Sequence, residues 1–234
     1  MIWMPGLGET GIRVHEIVNL TVHGIGPTCR ELDPGEDLTW VGVDQFEQVL
    51  DAVAGRQDVR ITFDDGNASD VEIALPLLLE RGLTGEFYVL AGLLGEPGRL
   101  TPDGVRELVK AGMLVGSHGW AHRDWRRLDP EQAAEEIIGA TRLLTELTGQ
   151  PVTSVAIPFG SYDRHVLQRL KDAGMSRAYT SDGGRARPSA WLQPRNSLRH
   201  DLDVEWTREV LDGAPSVQTR ARRLAARVVK RSRG

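Results

Sequence analysis

Apolar positions along this chain repeat with two periods. Short runs rich in β-branched and aromatic residues, at 16–22, 59–63, 85–90, 113–117, 152–157 and 177–181, predict buried strands. Longer stretches between them carry the helical period. Val43, Phe46, Val49, Leu50 and Val53 fall on one face and predict a helix over 43–53. Cap chemistry at 67–70 opens a second helix through Leu79, stopped by Gly82 and kinked at Pro76, where an N–H is missing. Thr101 followed by Pro102 opens a third, ending near Gly112. Asp129-Pro130 begins the longest, which runs to about Thr148 and stops at Gly149, and a helix over 164–173 is closed by Gly174. Beyond the Asp182-Gly183-Gly184 turn we expect a short last strand at 196–199 and a helix at 203–211.

Strand and helix alternate about seven times, which calls for parallel strands joined by crossover helices. The fold class is therefore α/β, with about seven parallel strands. A distorted or incomplete (β/α) barrel fits better than an open sheet, because the chemically suspicious residues follow several different strands. Barrels place chemistry at the C-terminal ends of their strands. We expect one catalytic domain over 1–215 and a basic helix or tail over 216–234.

Composition adds bounds. The 234 residues are 40% hydrophobic and 26% charged, ordinary values for a soluble globular chain. A single cysteine, Cys29, excludes an intrachain disulfide and a cysteine-based metal site, and reads as a bystander thiol. Residues 1–11 lack a basic n-region with an apolar run, and no window approaches a membrane span, so a cytoplasmic location is the expectation. Seven basic residues and no acid lie between Ser216 and Gly234 (Arg220, Arg222, Arg223, Arg227, Lys230, Arg231, Arg233). Setting that +7 against the net −5 leaves the body at −12, which argues against a nucleic-acid partner. The tail offers peripheral contact with a membrane or an anionic partner, although a solvated, frayed helix is the plainer reading.

The chemistry starts where the 59–63 strand runs into Asp64-Asp65-Gly66. Two adjacent carboxylates are costly unless a cation lies between them or one is protonated. A divalent metal removes the conflict by taking one as ligand and leaving the other as a base; a polar exit through an Asp-Gly turn also fits. His118 and His122 follow the 113–117 strand, and four residues apart they can face one metal from a helical turn. Two His and one carboxylate leave coordination positions open, as catalytic sites do.

Thr62-Phe63-Asp64-Asp65-Gly66 resembles the first motif of the NodB-type polysaccharide deacetylases. Ser117-His118-Gly119-Trp120-Ala121-His122 resembles their second, and Ala156-Ile157-Pro158-Phe159-Gly160 looks like their third, in the family's order over 15–199. The resemblance implies a distorted (β/α) barrel and one divalent metal, usually zinc, with Co2+, Ni2+ or Mn2+ as alternatives. It implies removal of acetyl groups from an N-acetylated carbohydrate, as a polysaccharide or as a precursor in surface-polysaccharide assembly. Carried over, Asp65, His118 and His122 are metal ligands, Asp64 is the catalytic base, and the Phe159 N–H is an oxyanion donor. Two alternatives stay open: an amide or imide hydrolase on a small non-sugar molecule, and a carbohydrate-binding protein with a vestigial site.

Two departures from the family pattern set further expectations. Ala156 stands where the family has an arginine that holds the base, so Arg195 and Arg199 are the candidates to replace it, Arg195 also counting as a substrate or oxyanion contact. The family's late histidine motif is missing. His200, with Asp201 to orient it, is the candidate proton donor, and His23 after the first strand is the second choice. Among the aromatic residues near these loops, Trp120 is the candidate platform for a sugar ring, because it lies between the histidines.

Overall fold

The strand periods of the sequence appear in a computed structural model as one nearly closed sheet wrapped by helices; residues 16–213 and 216–232 are described. The expectations for residues 1–11 and for Arg233 lie outside them, as do the side chains of Arg220, Arg223 and Arg231. The strands are β1 (Ile17–Val22), β2 (Gly24–Ile25), β3 (Trp40–Val41), β4 (Val59–Phe63), β5 (Gly85–Val89) and β6 (Leu114–Ser117). They continue with β7 (Ser154–Ala156), β8 (Arg177–Thr180), β9 (Arg185–Ala186), β10 (Leu192–Pro194) and β11 (Asn196–Ser197). Around the sheet the order is β10-β8-β7-β6-β5-β4-β1-β11, and every neighbouring pair on that path is parallel. β9 joins β1 antiparallel, and β2 pairs with β3 apart from the rest. This is the expected barrel-like α/β fold with eight parallel strands on the path. The additional strands are two or three residues long and carry no readable period.

The seam of the barrel is made by a single residue. β10 pairs with β8 and β11 pairs with β1, so Arg195, between them, carries the chain from one edge of the sheet to the other. Asn19 of β1 tightens the gap, donating from Nδ2 to Gln193 Oε1 at 3.1 Å and to the Pro194 carbonyl at 2.9 Å.

Side chains alternate along a strand, and here the two faces differ in kind. Val18, Leu20, Val22, Ile61, Phe63, Phe87 and Val89 enter an apolar cluster with Phe46, Val49, Leu50 and Val53 of α1 (Val43–Val53). Phe63 stacks on Phe87 at 4.3 Å and takes the edge of Phe46. Each such side chain contributes about 1.5–3 kcal/mol through burial. The alternate positions Asn19, Thr21, Thr62 and Asp64 are buried and polar; Asn19 bonds Gln193, and Thr21, Thr62, Arg195 and Asp64 form a hydrogen-bonded column. That column leads to the strand ends where the acids lie.

Three helical details depart from the sequence reading. Residues Asp70–Ala74 wind as a wide π turn that runs on through helical Leu75 into α2 (Leu75–Glu80), so Pro76 lies inside a continuous helical run, and the π winding is the irregularity that precedes it. After α3 (Pro102–Lys110), the long helix is interrupted: α4 (Pro130–Ala133) passes through a π segment, Ala134–Gly139, into α5 (Ala140–Thr148). Beyond α6 (Arg164–Asp172) and α7 (Val204–Asp212), the basic tail forms α8 (Val217–Ser232), which is docked rather than frayed. Lys230 Nζ reaches Asp182 at 2.7 Å and the Gly160 carbonyl at 3.0 Å, and Arg227 donates to the Gly183 carbonyl. No described helix is long and apolar enough to cross a membrane.

Candidate metal centre

β4 ends by turning two successive carboxylates toward one place. The Asp64 N–H donates to the Val22 carbonyl at 2.9 Å, and Asp65 then adopts φ 75°, a left-handed conformation that Asp tolerates better than most residues. Without that reversal, neighbouring side chains would point to opposite faces. Gly66, at φ 63°, completes the turn against Val89. Both acids are buried.

His118 follows β6, its N–H donating to the Val89 carbonyl. Its Nδ1 lies 2.9 Å from the Ala156 carbonyl, which fixes the proton on Nδ1 and turns Nε2 toward Asp65 Oδ1 at 3.4 Å. His122 Nε2 lies 3.7 Å from the same oxygen. The helical turn expected between the histidines is absent: 118–122 is a loop, with Gly119 at φ 96° and His122 at φ 55°. Phe159, itself at φ 58°, packs on the His122 ring at 4.2 Å.

Ligand atoms of Asp65, His118 and His122 lie within 4.8 Å of one another. Asp65 Oδ1 is buried and has no hydrogen-bond partner among the described residues. A buried acceptor left unpaired is costly, and one divalent cation would satisfy it together with both imidazoles. The electrostatics agree. Burial alone would raise the Asp65 pKa, but His118 and then His122 hold it well below the usual carboxylate range. Burial works against a charged His118, yet Asp64 and Asp65 outweigh it and raise its pKa. Burial and the neighbouring His118 lower His122 to about 4. The residues present fit a divalent metal.

Asp64 is held from the opposite side. Arg195 grips it with both terminal nitrogens, Nη1 to Oδ1 at 2.6 Å and Nη2 to Oδ2 at 2.5 Å, and Nη1 also donates to Thr62 Oγ1. Burial would favour a neutral Asp64, but the Arg195 guanidinium, then His118, keep its pKa lowered. The guanidinium carbon lies 5.6 Å and 5.5 Å from the ring centres of Tyr88 and Tyr179. Both phenols donate to Glu86 Oε2 at 2.8 Å. Burial and then Glu86 raise the pKa of each phenol, so both stay protonated donors. Ala156 packs against these two rings, and its small side chain leaves them room. Arg195 is 1% exposed, gives both terminal nitrogens to Asp64 and does not line the cleft described below; Arg199 is exposed and paired with Asp201.

The site opens into a cleft of about 220 Å³ whose lining includes Asp64, Asp65, His118, His122, His23 and Phe159. His200 is elsewhere: it is exposed, and its backbone N–H and Nδ1 both meet the Leu38 carbonyl. His23 is the histidine that the fold brings to the cleft, and its Nδ1 is buried without a partner among the described residues. Its position after β1 was the usable signal, the same strand-end placement that singled out Asp64 and His118. Trp120 does not line the cleft. Its indole lies where a Cβ on Gly92 would come within 2.4 Å, so it is packing rather than a sugar platform. Tyr88, Tyr179 and Glu86 carry no motif, so nothing in the sequence singles them out.

One buried acid nearby has no such support. Asp70 is 1% exposed, and neither carboxylate oxygen has a partner among the described residues. Burial first, then Asp65 and Asp64, push its pKa well above 3.8. Folding therefore takes up a proton here, so this group's stabilisation is complete below about pH 3.8 and is lost as pH rises toward the folded value. Asp70→Asn should melt higher than the parent at pH 7 in the presence of a chelator, with the advantage vanishing near pH 3.8. Melting curves across that range decide it; a lower melting point at pH 7 would show that ionised Asp70 has a stabilising partner.

Residues 51–178 match the family model described as polysaccharide deacetylase. A chitooligosaccharide deacetylase of Rhizobium leguminosarum bv. trifolii is 29% identical over 154 residues, 64% of this chain and 65% of that protein. A chitooligosaccharide deacetylase of Bradyrhizobium is 26% identical over 144 residues, 61% of this chain and 62% of that one. The chain thus spans less than two thirds of these relatives and under half of several others. Among solved structures, the Streptococcus pyogenes deacetylase PplD in complex with acetate superposes with TM-score 0.72 at 21% identity, over 84% of this chain and 98% of that one. At that identity the likeness establishes the fold.

Proposed function

Because the chain belongs to the polysaccharide deacetylase family, we propose that it is a metal-dependent hydrolase that removes acetyl groups from N-acetylated sugars. The observation that carries this reading is the division of labour within one acidic pair. Asp65 faces two histidine nitrogens, while Asp64, its neighbour, is bonded to Arg195. Asp65, His118 and His122 would hold the metal, and zinc is an ion that such an N,N,O set suits. When bound there, the ion supplies Lewis acidity, polarising an amide carbonyl and making water acidic near neutral pH.

Asp64, kept ionised by Arg195, is placed to take the proton of the attacking water as it adds to the amide carbon. Phe159 lines the cleft, and its N–H is the candidate donor to the oxyanion. His23 replaces His200 as candidate donor to the departing amine, since it lines the cleft and His200 does not. The vestigial-site alternative drew its force from Ala156 and from the missing late histidine motif; the grip of Arg195 on Asp64 speaks against the first ground.

Purified protein stripped with a chelator should release no acetate from N-acetylglucosamine oligomers, and zinc should restore release. Activity should return at about one metal per chain. A panel of N-acetylated sugars and cyclic amides, run with Zn2+, Co2+, Ni2+ and Mn2+, separates this reading from the small-amide alternative. Turnover of the cyclic amides alone would transfer the assignment to them. Silence on every sugar with every metal would overturn it.

A further inference from the structure

The loop that carries both histidines is built around a carboxylate from a distant helix. Glu136 is 0% exposed, a costly place for an acid unless its oxygens are paired. Oε2 accepts from the Trp120 N–H at 3.0 Å and from Trp125 Nε1 at 3.2 Å, and Oε1 accepts from the Ala121 N–H at 3.0 Å. A Cβ on Gly119 would come within 2.4 Å of Oε2. The carboxylate thus occupies the inside of the 118–122 turn, and the two bonded amides belong to the residues between the histidines.

The helix is shaped for this contact. Glu136 lies in the Ala134–Gly139 π segment, where the wider winding shifts the register of every later side chain relative to a continuous α-helix. Glu135, one residue earlier, is exposed and bonded to Arg123. At the far end of the loop, His122 adopts φ 55°, which costs about 1–3 kcal/mol and persists only where surrounding contacts impose it.

We propose that Glu136 is the positioning residue of the metal centre, holding the 118–122 loop in the form that presents His118 and His122 together. The inference rests on the ligand reading given above. It requires a carboxylate, because each oxygen must accept. An amide in its place would turn an NH2 toward either the Ala121 N–H or the Trp120 and Trp125 donors.

The test reads zinc affinity with no substrate present, by competition against a chromophoric chelator. Glu136→Gln should weaken zinc binding about 10–100-fold, the usual effect of losing a group that orients a metal ligand. Glu135→Gln should leave it unchanged. A folded Glu136→Gln protein, with parental near-UV circular dichroism and a zinc Kd within twofold of the parent, would overturn the proposal. Should that variant fail to fold, Trp125→Phe removes one donor to Oε2 and should weaken zinc severalfold; an unchanged Kd there would overturn it equally. Zinc binding that depends on Glu136 in a chain that releases no acetate would sink the deacetylase reading and leave this one standing. Zinc binding indifferent to Glu136 in an active deacetylase would do the reverse.

Discussion

Asp64→Asn is expected to lower the rate of acetate release about 10²–10⁴-fold, the span that loss of a general base covers, while zinc stays bound. The two halves of that result come from different contacts. The ligand atoms lie on Asp65, His118 and His122, and Asp64 is not among them. Its oxygens face Arg195, with the nearer histidine nitrogen at 3.9 Å. An asparagine keeps the shape and one acceptor oxygen, so Arg195 retains part of its pairing together with Thr62 and the two tyrosine faces. What asparagine cannot do is accept a proton. The loss should therefore appear in kcat with little change in KM, measured beside zinc content by atomic absorption and a melting curve. Parental turnover in a zinc-loaded, folded Asp64→Asn protein would sink the role assigned to Asp64.

The acids, the histidines and the barrel were legible because each depends on local pattern. A β-branched run followed by Asp64-Asp65, and another followed by His118, announce strand ends directly, and parallel strands bring such ends to one mouth. The helix over Val43–Val53 was legible for the same reason, since five apolar residues on one face leave little choice. The partner of Asp64 was legible only as a choice between Arg195 and Arg199, and the structure selects Arg195. Arg195 lies between two strands of three and two residues, too short to show a period, and meets an acid 131 positions earlier in the chain. His23 and His200 both followed predicted strands; only the packing of residues 26–39 distinguishes them, by fixing His200 on the Leu38 carbonyl. The loop between the histidines was misread as helical because spacing alone cannot reveal a buried carboxylate at its centre. Trp120 illustrates the converse: its place in the motif suggested ligand contact, while its ring is taken up by Gly92.

Arg195→Ala should cost more than activity. Removing one partner of a buried, doubly bonded pair leaves the other charge stranded, which typically destabilises by about 3–5 kcal/mol. For a chain of this size that is roughly 6–20 °C in melting temperature. The pH dependence identifies the cause. With Arg195 present, the folded Asp64 pKa lies below 3.8, so the pair stabilises above that value and loses its contribution as pH falls through the folded pKa. With Arg195 gone, burial would dominate and the Asp64 pKa would rise. The deficit should therefore be largest near pH 7 and shrink toward pH 4. Asp64→Asn added to Arg195→Ala should recover part of the lost stability, because no buried charge is then left unpaired. Arg195→Lys should rescue little, since one ammonium cannot match both carboxylate oxygens and lie flat between Tyr88 and Tyr179. A melting point for Arg195→Ala within about 2 °C of the parent at pH 7, outside the range above, would mean that Asp64 draws its support from elsewhere. An intermediate result for Arg195→Lys would separate charge from geometry: charge alone keeps Asp64 ionised, while the fork and the two rings keep it aimed into the cleft.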